Sequence, residues 1–174
     1  MVLTPGFDFE GQVVAITGAG RGIGREYARL LADAGARVVV NDLGTDVSGE
    51  GSDEMVAADV AAELRARGGR AVADDSDVST PEGGAGIVEA ALVAFGRLDA
   101  LIHNAGTQHV APYPEMPTDA VQHILGTHLL GAFHVGQPAW RVMAAQGYGR
   151  IVLTASVGML GAPNLSAYAA AKAG

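Results

Sequence analysis

Tyr168 and Lys172 stand four residues apart in the stretch Ser166-Ala-Tyr-Ala-Ala-Ala-Lys-Ala-Gly174. Alanine-rich runs favour helix, and residues at i and i+4 share one helix face. A phenol beside a fixed ammonium is a proton-exchanging group, because the cation favours the phenolate. Drawing a phenol from its reference of about 10 toward neutrality takes roughly 4 kcal/mol of differential stabilisation. One neighbouring charge at modest effective dielectric supplies energy of that order. A Tyr and a Lys stacked on an ordinary surface helix would show the same spacing, so the pair needs a second signal.

That signal lies at the other end of the chain. Gln12 to Thr17 is a short apolar run suited to a buried parallel strand. Gly18-Ala-Gly-Arg-Gly-Ile-Gly24 follows, then a helical stretch closed by Gly35, then a second apolar run from Arg37 to Asp42. Strand, glycine turn, helix, strand and terminal acid in that order is the context a dinucleotide fingerprint requires. Glycines let the backbone approach a pyrophosphate without a Cβ in the way, and the helix N-terminus turns free N–H groups toward the anion.

Asp42 and Arg21 point to different cofactors. A carboxylate about 4 Å from a 2′-phosphate repels each of its charges by ~4 kcal/mol at an effective dielectric near 20. Arg21, inside the glycine turn, is a cation that could meet the same phosphate. Asp42 ends the strand where the adenosine ribose is expected, which favours NAD over NADP.

Both motifs together resemble the short-chain dehydrogenase/reductase family. Thr17-Gly-Ala-Gly-Arg-Gly-Ile-Gly24, Asp77-Val78, Asn104-Ala-Gly106, Ser156 and Tyr168-Ala-Ala-Ala-Lys172 fall in the family's order, across nearly the whole chain from Gly11. Finer stretches are similar to the (3R)-hydroxyacyl-CoA dehydrogenase part of peroxisomal multifunctional enzymes: Val38-Val-Val-Asn-Asp-Leu-Gly44, Phe95-Gly-Arg-Leu-Asp99, His128-Leu-Leu-Gly131 and Tyr148-Gly-Arg-Ile-Val152. The resemblance implies hydride transfer between NAD and a secondary alcohol or ketone, such as a 3-hydroxyacyl thioester or a hydroxysteroid. It implies Tyr168 as general acid/base, Lys172 as the group that tunes it and bonds the nicotinamide ribose, and Ser156 as the holder of the substrate oxygen. Gly18, Arg21, Gly22, Ile23, Gly24 and Asp42 would contact the cofactor's phosphates or adenosine. Asp77 and Val78 would line the adenine, and Asn104, Ala105 and Gly106 would pass the nicotinamide-side ribose.

Two departures from the family pattern stand out. His128 occupies a position where the family usually has an asparagine that holds a relay water. Val121, Ile124, Leu125, Leu129, Ala132 and Phe133 form an apolar stripe at helical spacing with His128 inside it, so His128 is predicted to face inward. It could serve the relay or be a hydrogen-bonded core histidine. Ser156 also precedes Tyr168 by twelve residues where the family usually has thirteen. Thr154 is the alternative holder of the substrate oxygen.

The elements that must position these residues alternate. Strands are predicted at 12–17, 37–42, 70–75, 98–104 and 149–154, and helices at 23–34, 53–67, 80–95, 118–145 and from 164 to the end. Gly35, Gly68 and Gly96 are predicted left-handed C-caps. Alternation with short turns gives an α/β fold, a Rossmann-like doubly wound parallel sheet, with ligands at the carboxyl ends of the strands. The polar stretch Gly44–Ser52 reads as a loop near the adenosine end. The 174 residues, with 49% hydrophobic and 17% charged, suit one well-cored domain over 1–174.

The net charge of −8 argues against a nucleic-acid partner. No apolar run is membrane-length, Met1 to Glu10 lacks the pattern of a secretory signal, and cysteine is absent, so a cytoplasmic protein without thiolate metal sites is expected. The five histidines form no metal-binding pair, so no metal is expected. Family members usually continue for many tens of residues past the lysine, so the sequence is expected to be the N-terminal portion of a longer enzyme, incomplete at its C-terminus. In that shortened form strand 149–154 would be an exposed edge. The resemblance also implies pairing through the two long helices that follow the fourth and fifth strands, as a homodimer or homotetramer, and Trp140 on the first of these helices would suit that contact. The rival readings are an NADP-dependent ketone reductase and a dinucleotide-binding module without turnover.

Overall fold

Strands that read as unbroken valine, isoleucine and alanine must be covered on both faces. The computed structural model describes residues 8–174; residues 1–7, within the stretch read above for a secretory signal, lie outside the described residues. Five strands, β1 (Val13–Thr17), β2 (Arg37–Asn41), β3 (Arg70–Asp74), β4 (Ala100–His103) and β5 (Arg150–Leu153), form one parallel sheet in the order β3-β2-β1-β4-β5. Side chains alternate between faces along a strand. Val14, Ile16, Val38 and Val40 therefore pack with Ala28 and Ala32 of α1 (Gly22–Asp33) and Val60 and Leu64 of α2 (Met55–Ala66). Val13, Ala15 and Val39 pack on the other side with Ile87, Val88 and Ala91 of α3 (Pro81–Phe95) and Val135, Ala139 and Met143 of α5 (Gly131–Gln146). This is the doubly wound α/β sheet that the alternation predicts.

The amino ends of the strands are tied by fully matched polar groups. Asp99, 1% exposed, accepts from the Val13 N–H at 2.9 Å and is clamped by Arg97 at 2.8 and 2.6 Å. Gln146 accepts from the Leu98 N–H and donates to the Leu98 carbonyl, at 3.1 and 2.8 Å. Leu98 and Asp99 thus lie just before β4, which starts two residues later than predicted.

The predicted helix 118–145 is α4 (Thr118–Leu125), a π turn (Gly126–Leu130) and α5 in succession. A π turn fits one extra residue into the spiral, so side chains after it are rotated by about 100° relative to an uninterrupted helix. Beyond the turn the inward positions are Gly131, Val135, Ala139 and Met143. Phe133, expected to close the apolar stripe, is instead 56% exposed, while His128, at 9%, faces inward as predicted. Two short 3₁₀ turns, Tyr113–Glu115 and Val157–Leu160, are further elements that the periodicity does not reveal. Gly35, Gly68 and Gly96 take the positive φ expected of them. Among the described residues no helix is long and apolar enough to cross a membrane.

Candidate active site

The strand order reverses beside β1, with β2 on one side and β4 on the other, so a crevice opens at the carboxyl ends of these strands. A cavity of about 270 Å³ lies there, walled by the glycine turn, Asp42 to Val47, Ser76 to Val78, Asn104 to Thr107, His123 and Thr127. The glycine turn earns its composition at two points. Gly18 sits at φ +63, and a Cβ there would lie 2.8 Å from the Ala105 Cα. A Cβ on Gly24 would overlap the Gly18 carbonyl, so the first turn of α1 nests directly on the loop. Helix α1 has no side-chain cap and no acid in its first turn, which leaves its leading N–H groups for an anion.

The side chains around this crevice are held firmly. The two carboxylate oxygens of Asp42 accept from the Gly20 and Gly44 N–H groups, each at 2.8 Å. Each oxygen keeps further lone-pair capacity toward the cavity. Arg21, exposed beside Asp42, donates to the Thr45 carbonyl at 2.6 Å. Asn104 donates to the Gly18 carbonyl at 3.1 Å, binding the loop after β4 to the glycine turn. Asp77 accepts from the Ser79 N–H at 2.8 Å in the turn that leads into α3, and Val78 is buried beside it. Gly22, Ala105 and Gly106 line the cavity, whereas Ile23 is 63% exposed and does not. The loop 44–52 crosses the mouth: the Gln108 N–H donates to the Val47 carbonyl at 3.0 Å, and Gly49 lies hard against the His123 ring.

Tyr168 and Lys172 occupy α6 (Ser166–Ala173) and share a face, with the Lys172 Nζ 5.8 Å from the Tyr168 ring centroid. Lys172 donates to the Thr154 carbonyl at 2.6 Å, and burial pushes its pKa below the usual lysine range. Ser156 caps the 3₁₀ turn by accepting from the Gly158 N–H at 3.1 Å. A Cβ on Gly158 would lie 2.8 Å from Tyr168 Cε1 and 3.3 Å from Ser156 Oγ, so a single glycine separates the serine from the phenol ring. The Thr154 contact to Lys172 comes from its backbone.

His128 joins the two groups of residues. Its ring meets the Tyr168 ring edge-on, with centroids 5.2 Å apart, and a Cβ on Gly106 would overlap it. Its Nε2 lies 2.8 Å from the Thr107 carbonyl and 3.1 Å from the Thr107 N–H. Nε2 accepts from the Thr107 N–H when the proton is on Nδ1 and donates to the Thr107 carbonyl when the proton is on Nε2; in both tautomers Nδ1 is buried with no partner among the described residues. Burial pushes the His128 pKa down, so the ring is neutral. Thr107 Oγ1 and His123 Nε2 are also buried without partners among the described residues. Thr107 and His123 line the crevice, and His128 packs behind it against Gly106. Thr17 is visible in the sequence only as the residue that opens the glycine motif, and His103, Thr107 and His123 belong to none of the motifs there. A polar residue ending an otherwise apolar strand, as in Leu101-Ile-His103, was the available signal.

The match to known proteins runs along the same residues. A family model described as short chain dehydrogenase matches residues 12–174. A short-chain type dehydrogenase/reductase of Mycobacterium tuberculosis is 42% identical over 164 residues, covering 94% of this chain and 57% of the relative. Peroxisomal multifunctional enzyme type 2 of Mus musculus is 42% identical over 167 residues, covering 95% of this chain and 22% of the relative. A solved short-chain dehydrogenase/reductase from Burkholderia phymatum in complex with NAD superposes with a TM-score of 0.87 at 32% identity, covering 96% of this chain and 57% of that one. The chain thus spans between a fifth and three-fifths of the length of these relatives.

Proposed function

The chain belongs to the short-chain dehydrogenase family, and from that premise we propose that it carries the cofactor crevice and proton-transfer group of an oxidoreductase that interconverts a secondary alcohol and a ketone with NAD. The observation that carries the reading is the unbroken run of contacts from the glycine-turn cavity through Gly106 and His128 to Tyr168, with Lys172 and Ser156 on either side. Residues 1–174 form the dinucleotide-binding domain in this reading. Gly18, Gly22, Gly24 and the first N–H groups of α1 take the pyrophosphate, and Ile23 borders it from the solvent side. Asp42 takes the adenosine ribose, Asp77 and Val78 flank the adenine, and Asn104 to Gly106 support the second ribose. The bound nicotinamide supplies hydride exchange with the carbinol carbon.

The chain's own residues manage one proton. Tyr168 Oη removes it from the substrate hydroxyl during oxidation and returns it to the oxygen during reduction. Ser156 Oγ fixes that oxygen beside the phenol. Lys172 is oriented by the Thr154 carbonyl, and its depressed pKa makes its proton easier to relay. The His128 ring stands edge-on to Tyr168 with its Nδ1 buried and unpartnered among the described residues, and it can hold the next member of the relay. Asp42, fixed by two N–H groups on the cavity wall, supports NAD, and the NAD complex of the Burkholderia phymatum protein agrees with it.

The NADP-dependent alternative rests on Arg21, whose guanidinium reaches the Thr45 carbonyl, three residues past Asp42. Fluorescence titration with NADH and NADPH separates the two. A 3-hydroxyacyl thioester substrate is supported by the likeness to peroxisomal multifunctional enzyme type 2, and a panel of hydroxyacyl-CoA esters, steroids and sugar alcohols tests it. Exposed Phe133 and Trp140 on α5 support a homodimer or homotetramer. The absence of cysteine suits a cytoplasmic setting.

The decisive experiment is Tyr168→Phe in the full-length enzyme. It should lower kcat by about 10³-fold with NADH affinity changed less than about twofold. Unchanged turnover would remove the proposed acid/base, and a wild-type protein that binds NADH without turnover would leave only the binding module.

A further inference from the structure

We propose that His103 is a positioning residue that couples the glycine turn to His128, by bridging the Thr17 hydroxyl at the end of β1 and the Thr127 carbonyl in the π turn. The inference rests on the reading of His128 and Tyr168 given above. Thr17 and His103 are paired across the sheet as the last residues of β1 and β4. Thr17 Oγ1 accepts from the Asn104 and Ala105 N–H groups, at 3.1 and 3.0 Å. Both of its lone pairs are then used, and its one proton must go to His103 Nδ1, 3.0 Å away. The His103 proton is therefore on Nε2, which donates to the Thr127 carbonyl at 3.2 Å. No other assignment satisfies all four contacts.

The carbonyl lies inside the π turn, where the Gly131 N–H donates to the Gly126 carbonyl five residues back. This longer spacing departs from the α-helical ladder over Gly126–Leu130, and the His103 ring from the sheet meets the turn there. His103 Cε1 lies 3.3 Å from where a Cβ on Gly131 would stand, so the ring is seated directly beneath the turn. Thr127 immediately precedes His128. Fixing the Thr127 peptide fixes the direction from which the His128 ring reaches Tyr168. On its other side the same ring fixes Thr17, where the strand becomes the glycine turn. The ring is 4% exposed, and burial holds its pKa down at about 4, so this neutral arrangement persists at physiological pH.

Two conservative variants separate the arms of the bridge. In His103→Asn, the amide oxygen can stand where Nδ1 was, but nothing reaches Thr127. In His103→Gln, the amide nitrogen can reach Thr127, but the acceptor for Thr17 is lost. In the full-length enzyme, His103→Asn should keep NADH affinity within about twofold, lower kcat about tenfold or more, and shift the His128 ring-proton resonance, which the Tyr168 ring current reports. His103→Gln should recover most of that kcat and the wild-type resonance, while weakening NADH binding about fivefold. Melting temperatures of both variants are recorded alongside.

Parallel loss of kcat and NADH affinity in both variants, following only the melting temperature, would show a merely structural histidine and overturn the proposal. So would an unmoved His128 resonance in His103→Asn. If the wild-type protein fails to bind NADH, the cofactor reading fails, while the His128 resonance still tests the bridge.

Discussion

The two ends of the sheet are built on opposite rules. At the amino ends, Asp99 and Gln146 are matched to N–H groups, a guanidinium and a carbonyl. At the carboxyl ends, Thr107 Oγ1, His123 Nε2 and His128 Nδ1 are buried and unmatched among the described residues. A buried polar atom without a partner costs about 1–3 kcal/mol. The lower end is thus fully satisfied within the fold, whereas the upper end, beside the matched Thr17, Asp42 and Asn104, carries polar atoms that cost stability as they stand.

Acid should weaken the upper end most. His103 is pushed from 6.5 to about 4 by burial, so between those values the unfolded chain binds a proton that the folded chain does not. Stability from this group is complete above pH 6.5 and is lost on acidification, amounting to about 3 kcal/mol by pH 4. His128 is shifted in the same direction and adds to the loss. Urea unfolding at pH 7 and pH 4.5 measures the change, and a difference no larger in wild type than in His103→Asn would contradict it.

Asp99→Ala attacks the other end. It strands the Val13 N–H and frees Arg97, and should cost about 2–3 kcal/mol in urea unfolding. NADH affinity of the folded protein should stay within about twofold, so a crevice that loses binding in step with stability would erase the division between the ends. The smallest and sharpest effect is expected from Thr107→Val. Removing a hydroxyl that has no partner should leave stability within about 0.5 kcal/mol or raise it, while NADH binding weakens a few-fold if that hydroxyl serves the ligand. Destabilisation by more than about 1 kcal/mol would mean the hydroxyl is satisfied within the fold.

Much of the architecture is legible in the chain because local and global signals agree. The apolar runs are strands, Thr80 with Pro81 starts α3, and the strand–helix alternation yields the parallel order. Asp42, Asn104, Ser156 and the Tyr168–Lys172 pair sit on turns or helices whose patterns are visible in sequence. The π turn is different. No composition marks a single extra residue in a helix, so the stripe through Phe133 continued on paper and turned outward in space. His103 was hidden for a related reason: its partners come from β1 and from the π turn, and only the folded sheet brings them together.

That extra residue also divides one long helix between two cores. Ile124 of α4 packs with Ala167 and Ala171 of α6, whereas Val135, Ala139 and Met143 of α5 pack with α3 and the sheet. Amide exchange should accordingly find two protection levels along a single rod, with the change falling at Gly126–Leu130. The segment bearing His123 is thereby tied to the helix bearing Tyr168 and not to the sheet, so those two are expected to exchange as one unit above it.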